Sequence, residues 1–389
     1  MGTGAAVYVN IGCRTNAAEL DEMAERLVDA TNVVVVNSCT VTAAADRDTR
    51  KAVHRARREH GSAAVVLMGC YADSHPGDSL GADLVLPNAW KRSAGVGSQP
   101  LPLTQVEPPG VRRSRFVLKV QDGCDNRCTF CIVWQTRGRS LSRVLPYLEA
   151  RARAAAAAGY REIVLAGIDL GSYRGGIAPL VKRLLAAAAP ARIRLSSIDP
   201  SHVDRELIEL LADPRLCPHL HLPLQSGSDR VLARMGRRYR VAGFRRAVEL
   251  ARSVRPELAL TGDLMVGFPG ETEADFRETL DLVATARFMG LHVFRFSPRP
   301  RTAAARYTDQ VAAMESHDRS RRLIDLGRRL KSAYEERFHG KRLAVIWDRQ
   351  FGGLIRGVSE NYIQVAAPAA GRRAGELEEV VWQPASSAP

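Results

Sequence analysis

Six apolar runs of strand length, starting at Arg115, Glu162, Arg192, His219, Leu258 and Leu291, recur along the middle of this chain. Amphipathic stretches near 142–158, 177–190, 203–212, 241–254 and 272–287 separate them, and a last one covers 311–338. Alternation at that spacing calls for parallel strands joined by helical crossovers, because a strand covered on both faces reads as continuous apolar text and its covering helix as a 3.6-residue stripe. Six such units predict a partial (β/α)6 barrel with its functional loops at the carboxyl ends of the strands. The same rhythm runs through residues 1–92, from "AVYVNIGC" to "VVVVNSCTV" to "AAVVLMGCY", and predicts a separate three-layer α/β domain. Residues 93–113, rich in Gly, Pro and Ser and without periodicity, read as a linker to the barrel and its trailing helix at 114–338. Residues 339–387 hold short β runs broken by Gly and Pro, which predict a small antiparallel β-barrel.

The first thirty residues lack the charged and then apolar pattern of a secretory leader, and no stretch approaches eighteen uninterrupted apolar residues. The expectation is a cytoplasmic protein with no membrane partner. Fifty-six Lys and Arg against forty-two Asp and Glu leave a formal charge of +14. That excess fits a polyanionic partner held by steering and counterion release, and equally fits an Arg-rich surface with no such partner.

Seven cysteines, an odd number, argue against a disulfide framework and for metal binding, catalysis or burial. Cys124, Cys128 and Cys131 form C-x3-C-x2-C directly after the first barrel strand. Thiolates are the usual ligands of iron–sulfur clusters, but neither the ferredoxin spacing nor a fourth cysteine is present, and a zinc site would also want a fourth ligand. Cys13, Cys39 and Cys70 are distant in sequence, yet each closes a strand of the first domain ("NIGC", "VNSC", "LMGC"). Parallel strands bring their carboxyl ends to one rim, so these three are expected to converge as a second cluster site. Cys217, before an apolar strand, reads as packing.

The C-x3-C-x2-C run, with Phe130 before its last cysteine, resembles the signature of the radical S-adenosylmethionine superfamily. With both triads placed, the chain resembles the methylthiotransferases of that superfamily over nearly its whole length. "GCRTNAAELDEM", "LKVQDGCDNRC", "HLPLQSGSDRVLARM", "GDLMVGFPGETEADF" and, in the region similar to a TRAM module, "GVSENYIQV" carry the likeness. "CTVT" followed by "AD" at 39–46 is most similar to the enzymes acting on N6-threonylcarbamoyladenosine beside the tRNA anticodon. The resemblance implies conversion of the adenine C2–H to C2–SCH3, with S-adenosylmethionine as methyl donor and radical source. It implies two 4Fe-4S clusters: Cys124, Cys128 and Cys131 holding the radical cluster, whose open iron S-adenosylmethionine chelates, and Cys13, Cys39 and Cys70 holding an auxiliary cluster that carries the sulfur. It further implies tRNA and a low-potential electron donor as partners. Phe130, Gly167 and Ser196 are placed to contact the cofactor.

Other residues carry further expectations. His219 reads as a packed strand residue, whereas alternation puts His221 and Gln225 on the inner rim. Aromatic strand residues in "LAVIWD" and "ENYIQV", with Lys341, Arg342, Arg356, Arg372 and Arg373, form a candidate RNA surface. The arginine runs at 55–60 and 319–322 read as solvated helix faces. Trp134 stands where the family usually has Pro, which motivates a peptide or small-molecule substrate for the same chemistry as an alternative to tRNA; a further alternative, of another class, is a non-catalytic iron–sulfur RNA-binding regulator.

Overall fold

Four parallel strands open the chain, whose computed structural model describes residues 5–27, 29–95 and 113–383. The elements are β1 (Val7–Asn10), α1 (Arg14–Arg26), β2 (Val33–Ser38), α2 (Ala43–Glu59), β3 (Ala64–Gly69), the short α3 (Cys70–Ser74), β4 (Leu84–Leu86) and α4 (Asn88–Gly95). The strands pair in the order β1-β2-β3-β4. Alternate side chains of β2 and β3 face opposite ways: Val34, Val36, Val65 and Leu67 pack on Val53 and Ala56 of α2, while Val35 and Met68 pack on Leu20 and Met23 of α1. The expected three layers follow from that alternation. Helix α4 takes in the first residues of the expected linker, and 96–112 lie outside the described residues.

The barrel begins with β5 (Phe116–Lys119), β6 (Gln121–Asp122), α5 (Val133–Arg137), β7 (Leu141–Ser142) and α6 (Leu145–Ala157). It continues through β8 (Glu162–Ala166), α7 (Ile177–Ala187), β9 (Arg192–Leu195), α8 (Arg205–Leu210), β10 (His219–His221), α9 (Asp229–Arg234) and α10 (Val241–Val254). β11 (Ala259–Val266), α11 (Glu273–Ala286), β12 (Gly290–Arg295) and α12 (Ala313–Glu336) complete it. The six expected strands are β5, β8, β9, β10, β11 and β12. They form two parallel sheets, β5-β8-β9 and β10-β11-β12, stitched by bridges at Ile193–Leu216 and Ser197–His221. A single apolar core, including Leu118, Leu165, Leu195, Leu220 and Leu260, joins the strands to the surrounding helices. The sequence reading lacks α5, α9 and the β6–β7 pair, which are too short to show a period.

The last strands, β13 (Arg342–Phe351), β14 (Leu354–Ser359), β15 (Gln364–Pro368) and β16 (Leu377–Val381), pair antiparallel in the order β15-β14-β13-β16, a curled half-barrel rather than a closed one. A turn at Tyr362, whose φ is 70°, splits the run expected around "ENYIQV" into β14 and β15. Glu162, fully buried at the start of β8, takes Arg192 and Arg194 at 2.6 and 2.7 Å and Arg115 at 3.0 Å. The same arginines reach the carbonyls of Ala344, Ser359 and Ile346, which fixes the half-barrel against the barrel. Two expectations change here. Trp347 is wholly buried and donates its indole N–H to Glu378, so it is core rather than an RNA platform. Arg319 is also buried, pairing with Glu271 at 2.8 Å, so the run at 319–322 is not wholly a solvated face.

Candidate active site between two cysteine triads

Cys13 precedes α1, Cys39 follows β2, and Cys70 opens α3 directly after β3. Register brings these ends together, since Asn10 lies beside Asn37 and Ser38 beside Gly69. Two glycines permit the approach. A Cβ on Gly12 would stand 3.0 Å from the Cys39 Cβ, and one on Gly69 2.4 Å from the Ser38 carbonyl oxygen. Burial, reinforced by the nearby Cys70 and Cys13, pushes the Cys39 thiol up to about 11. A thiol in that setting becomes a thiolate only when a cation replaces its proton.

A buried cation also lies beside Cys70. Arg137, the last residue of α5, is fully buried and donates from Nε to Cys70 Sγ at 3.4 Å. Its other nitrogens reach Glu19 and Asp122, each at 2.8 Å, and the side-chain oxygen of Asn16. Lys119 holds Glu19 and Asp122 at 2.8 Å, and Lys91 holds Glu19 at 2.6 Å. Burial works to raise the Glu19 and Asp122 pKa values, but Arg137 and Lys119 outweigh it, leaving Glu19 far below the usual carboxylate range and Asp122 at about 2. Arg137, Lys119 and Lys91 share Glu19 and Asp122, and the Arg137 guanidinium also points Nε at the Cys70 sulfur. A buried guanidinium beside a cysteine sulfur favours the thiolate, the form that ligates an iron–sulfur cluster.

The second triad follows β6. Gly123, at φ 73°, leaves no room for a side chain, because a Cβ would lie 2.0 Å from the Arg139 carbonyl oxygen. Its loop is closed by Cys124 N–H to Gly138 O at 3.0 Å and pinned to α9 by Thr129 N–H to Met235 O at 2.9 Å. Backbone N–H groups of Asn126 and Val133 point at Cys124 and Cys131 sulfurs at 3.5 and 3.4 Å, and Arg237 donates to Cys128 Sγ at 3.4 Å. Burial pushes Cys124 up to about 11 and Cys131 up to about 12. The three thiols border a cavity of about 220 Å³ lined also by Phe130, Asp169, Asp199, Gln225 and Asp263. Asp199 pairs with Arg237. One oxygen of Asp169 accepts from Asn126 at 3.1 Å; the other is buried without a hydrogen bond, with His202 Nε2 3.8 Å away. A carboxylate with an unused hydrogen-bonding oxygen in the cavity wall suits a ligand bearing an ammonium, which S-adenosylmethionine brings.

Phe130 lines this cavity, edge-on to Phe268, but Gly167 and Ser196 stand one residue behind it. Ile168, Asp169 and Ser197 form the wall instead, and Gly167 leaves space for Gln121, whose side-chain oxygen accepts from Ile168 and Asp169 N–H. Cys217 is buried, as expected. His219 is buried and stacked on Tyr362 with ring centroids 4.3 Å apart. Trp134 stays outside the cavity, with Arg127 over its ring at 5.8 Å, so the indole does not reshape that wall. The sequence reading missed Arg137, Arg237 and Asp169. Asp169 carried a signal, standing three residues beyond β8 at a strand carboxyl end, but the two arginines act on sulfurs far away in sequence.

Residues 118–283 match the Radical SAM superfamily, and residues 6–85 match the uncharacterized protein family UPF0004. The chain is 35% identical to the threonylcarbamoyladenosine tRNA methylthiotransferase MtaB of Thermotoga maritima, over 95% of this chain and 92% of that protein. It is 33% identical to MtaB of Bacillus subtilis, over 92% and 89%. The tRNA-2-methylthio-N(6)-dimethylallyladenosine synthase of Anaeromyxobacter dehalogenans is 35% identical over 91% and 84%. In fold the chain is similar to the radical S-adenosylmethionine methyltransferase TsrM of Kitasatospora setae, with a TM-score of 0.58 at 16% identity over 78% of this chain and 77% of that one. Among the described residues no helix is long and apolar enough to cross a membrane.

Proposed function

The chain belongs to the radical S-adenosylmethionine methylthiotransferases, and from that premise we propose that it converts N6-threonylcarbamoyladenosine beside the tRNA anticodon to its 2-methylthio derivative. A 4Fe-4S cluster with S-adenosylmethionine supplies one-electron chemistry strong enough to activate an aromatic C–H bond. Cys124, Cys128 and Cys131 hold that cluster, and Asp169 takes the cationic end of the cofactor. Phe130 closes the apolar wall, while Gly167 and Ser196 stand behind Ile168 and Ser197, which line the cavity. Cys13, Cys39 and Cys70 hold a second 4Fe-4S cluster that carries the transferred sulfur. Arg137 and Arg237 offset thiolate charge at Cys70 and Cys128, one sulfur of each triad. A low-potential reductant completes the cycle, and the tRNA substrate places the reaction in the cytoplasm.

The observation that carries this reading is that Arg137, six residues past Cys131, grips Cys70 of the other triad. The helix that follows one triad thus reaches the other, an arrangement suited to a reaction that must activate carbon and deliver sulfur at one place. Nucleoside mass spectrometry of tRNA from cells with and without the gene tests it. Loss of the 2-methylthio derivative of threonylcarbamoyladenosine is expected, and unchanged tRNA would refute it. Two clusters predict about eight irons per chain after anaerobic reconstitution, falling to about four in Cys13→Ala.

A further inference from the structure

Where β10, β11 and β12 meet the half-barrel, His221, Asp263 and His292 bring their ligating atoms within 4.8 Å of one another. Asp263 accepts from His221 Nε2 and from His292 Nδ1, each at 3.2 Å, one imidazole on each oxygen. Thr261 Oγ1 lies 2.9 Å from His221 Nδ1 and 2.8 Å from His219 Nε2. Because a carboxylate can only accept, His221 carries its proton on Nε2; in the neutral ring Nδ1 then accepts from Thr261, which in turn accepts from His219. The chain of bonds locks His221 in place, while His292, two-thirds exposed, keeps Nε2 for a ligand.

That ring borders a cavity of about 300 Å³ between barrel and half-barrel, lined by His221, His292, Arg328, Lys331, Tyr362 and Gln364. Arg14, next to Cys13, donates to the Tyr362 hydroxyl at 3.0 Å. On its other side Asp263 lines the cavity of the Cys124 triad. Arg328 and Lys331 rest on Asp325 and Glu335 of their own helix at 3.0 and 3.5 Å, exposed pairs that exchange readily. A dication at His221, Asp263 and His292 would meet a carboxylate already shared by two imidazoles, with Arg14, Arg328 and Lys331 nearby. An anion meets the opposite situation. Asp263 also raises the His292 pKa, which favours the charged ring.

We propose that this cavity is a subsite for the substrate nucleotide, in which His292 and Lys331, aided by Arg328, hold an anionic oxygen group of the tRNA. The group is either the carboxylate of the threonylcarbamoyl side chain or a backbone phosphate beside it. The assignment rests on the function proposed above, and its test keeps the two separable. Anticodon stem-loops carrying threonylcarbamoyladenosine or unmodified adenosine are titrated against reconstituted enzyme, His292→Gln, Lys331→Met and, as a distant control, the exposed Arg183→Met. Loss of a charge-assisted bond predicts roughly tenfold weaker binding for the first two variants and little change for the control. A loss confined to the modified RNA identifies the carboxylate, and an equal loss with both RNAs identifies the phosphate; either supports the subsite. Unchanged binding in both variants, while the parent enzyme methylthiolates the modified RNA, overturns the subsite and leaves the function standing. A parent enzyme inert on that RNA overturns both. One zinc per cluster-loaded chain, lost in His292→Gln, would also overturn the subsite.

Discussion

Arg137 and Arg237 each set a buried guanidinium 3.4 Å from a cysteine sulfur, one in each triad. Replacing Arg137 by Met would strand Glu19 and Asp122 with less compensation than they need, a loss of about 3–5 kcal/mol for a broken buried pair. Anaerobic denaturant unfolding of the cluster-free chain should show it, with Arg137→Lys intermediate because an ammonium cannot serve Cys70, Glu19 and Asp122 in one plane. Gly123→Ala should act more locally. Its Cβ would collide with the Arg139 carbonyl, so the chain should keep the auxiliary cluster and fall from about eight irons toward four. The clustering of Cys124, Cys128 and Cys131 was legible in sequence because they are close in the chain, and that of Cys13, Cys39 and Cys70 because strand ends in a parallel sheet share a rim. Arg137 was hidden because its sulfur partner lies in another domain, and Trp134, conspicuous as text, turned out to lie beside the cavity wall rather than in it.

At the level of elements, the ionic cluster at the start of β8 ties the half-barrel to the barrel. Burial works to raise the Glu162 pKa, but Arg194, Arg192 and Arg115 outweigh it and hold the carboxyl well below its ordinary value. A depressed native pKa means that this stabilisation is complete above the unfolded value of about 4.3 and is lost as pH falls through the native one. Stability should therefore decline with acid below about pH 4, and less steeply in Glu162→Gln, which should already be weaker by about 3–5 kcal/mol near neutrality. Urea midpoints of both proteins across that pH range provide the check. The six barrel strands were legible because each lies in an apolar run flanked by a helical stripe, even where the strand itself is as short as β10. The arginines of "RIRL" were not legible as docking groups, because period-two alternation says which way a side chain faces and not what meets it.

Over the whole molecule, a charge of +14 now has a direction. The β13–β14 hairpin exposes Phe351 and Leu354 with Arg349 and Arg356 exposed and paired across the strands, whereas Trp347 is used for packing and Tyr362 stacks on His219 at the edge of the cavity between barrel and half-barrel. Phe351→Ala should weaken tRNA binding by about 1–3 kcal/mol if a base stacks there. Binding to tRNA should also fall roughly 10³-fold or more between 50 and 200 mM salt if six or more phosphates are engaged, measurable by titration at several salt concentrations. Hydropathy and charge could indicate a polyanionic partner, but only the folded surface separates an aromatic that packs from one that is offered. The most direct test of the function is anaerobic incubation of the reconstituted protein with S-adenosylmethionine, a low-potential reductant and a stem-loop carrying N6-threonylcarbamoyladenosine. The 2-methylthio nucleoside should appear together with 5′-deoxyadenosine in the parent protein and be absent in Cys13→Ala; 5′-deoxyadenosine without any methylthiolated product in the parent would contradict the account.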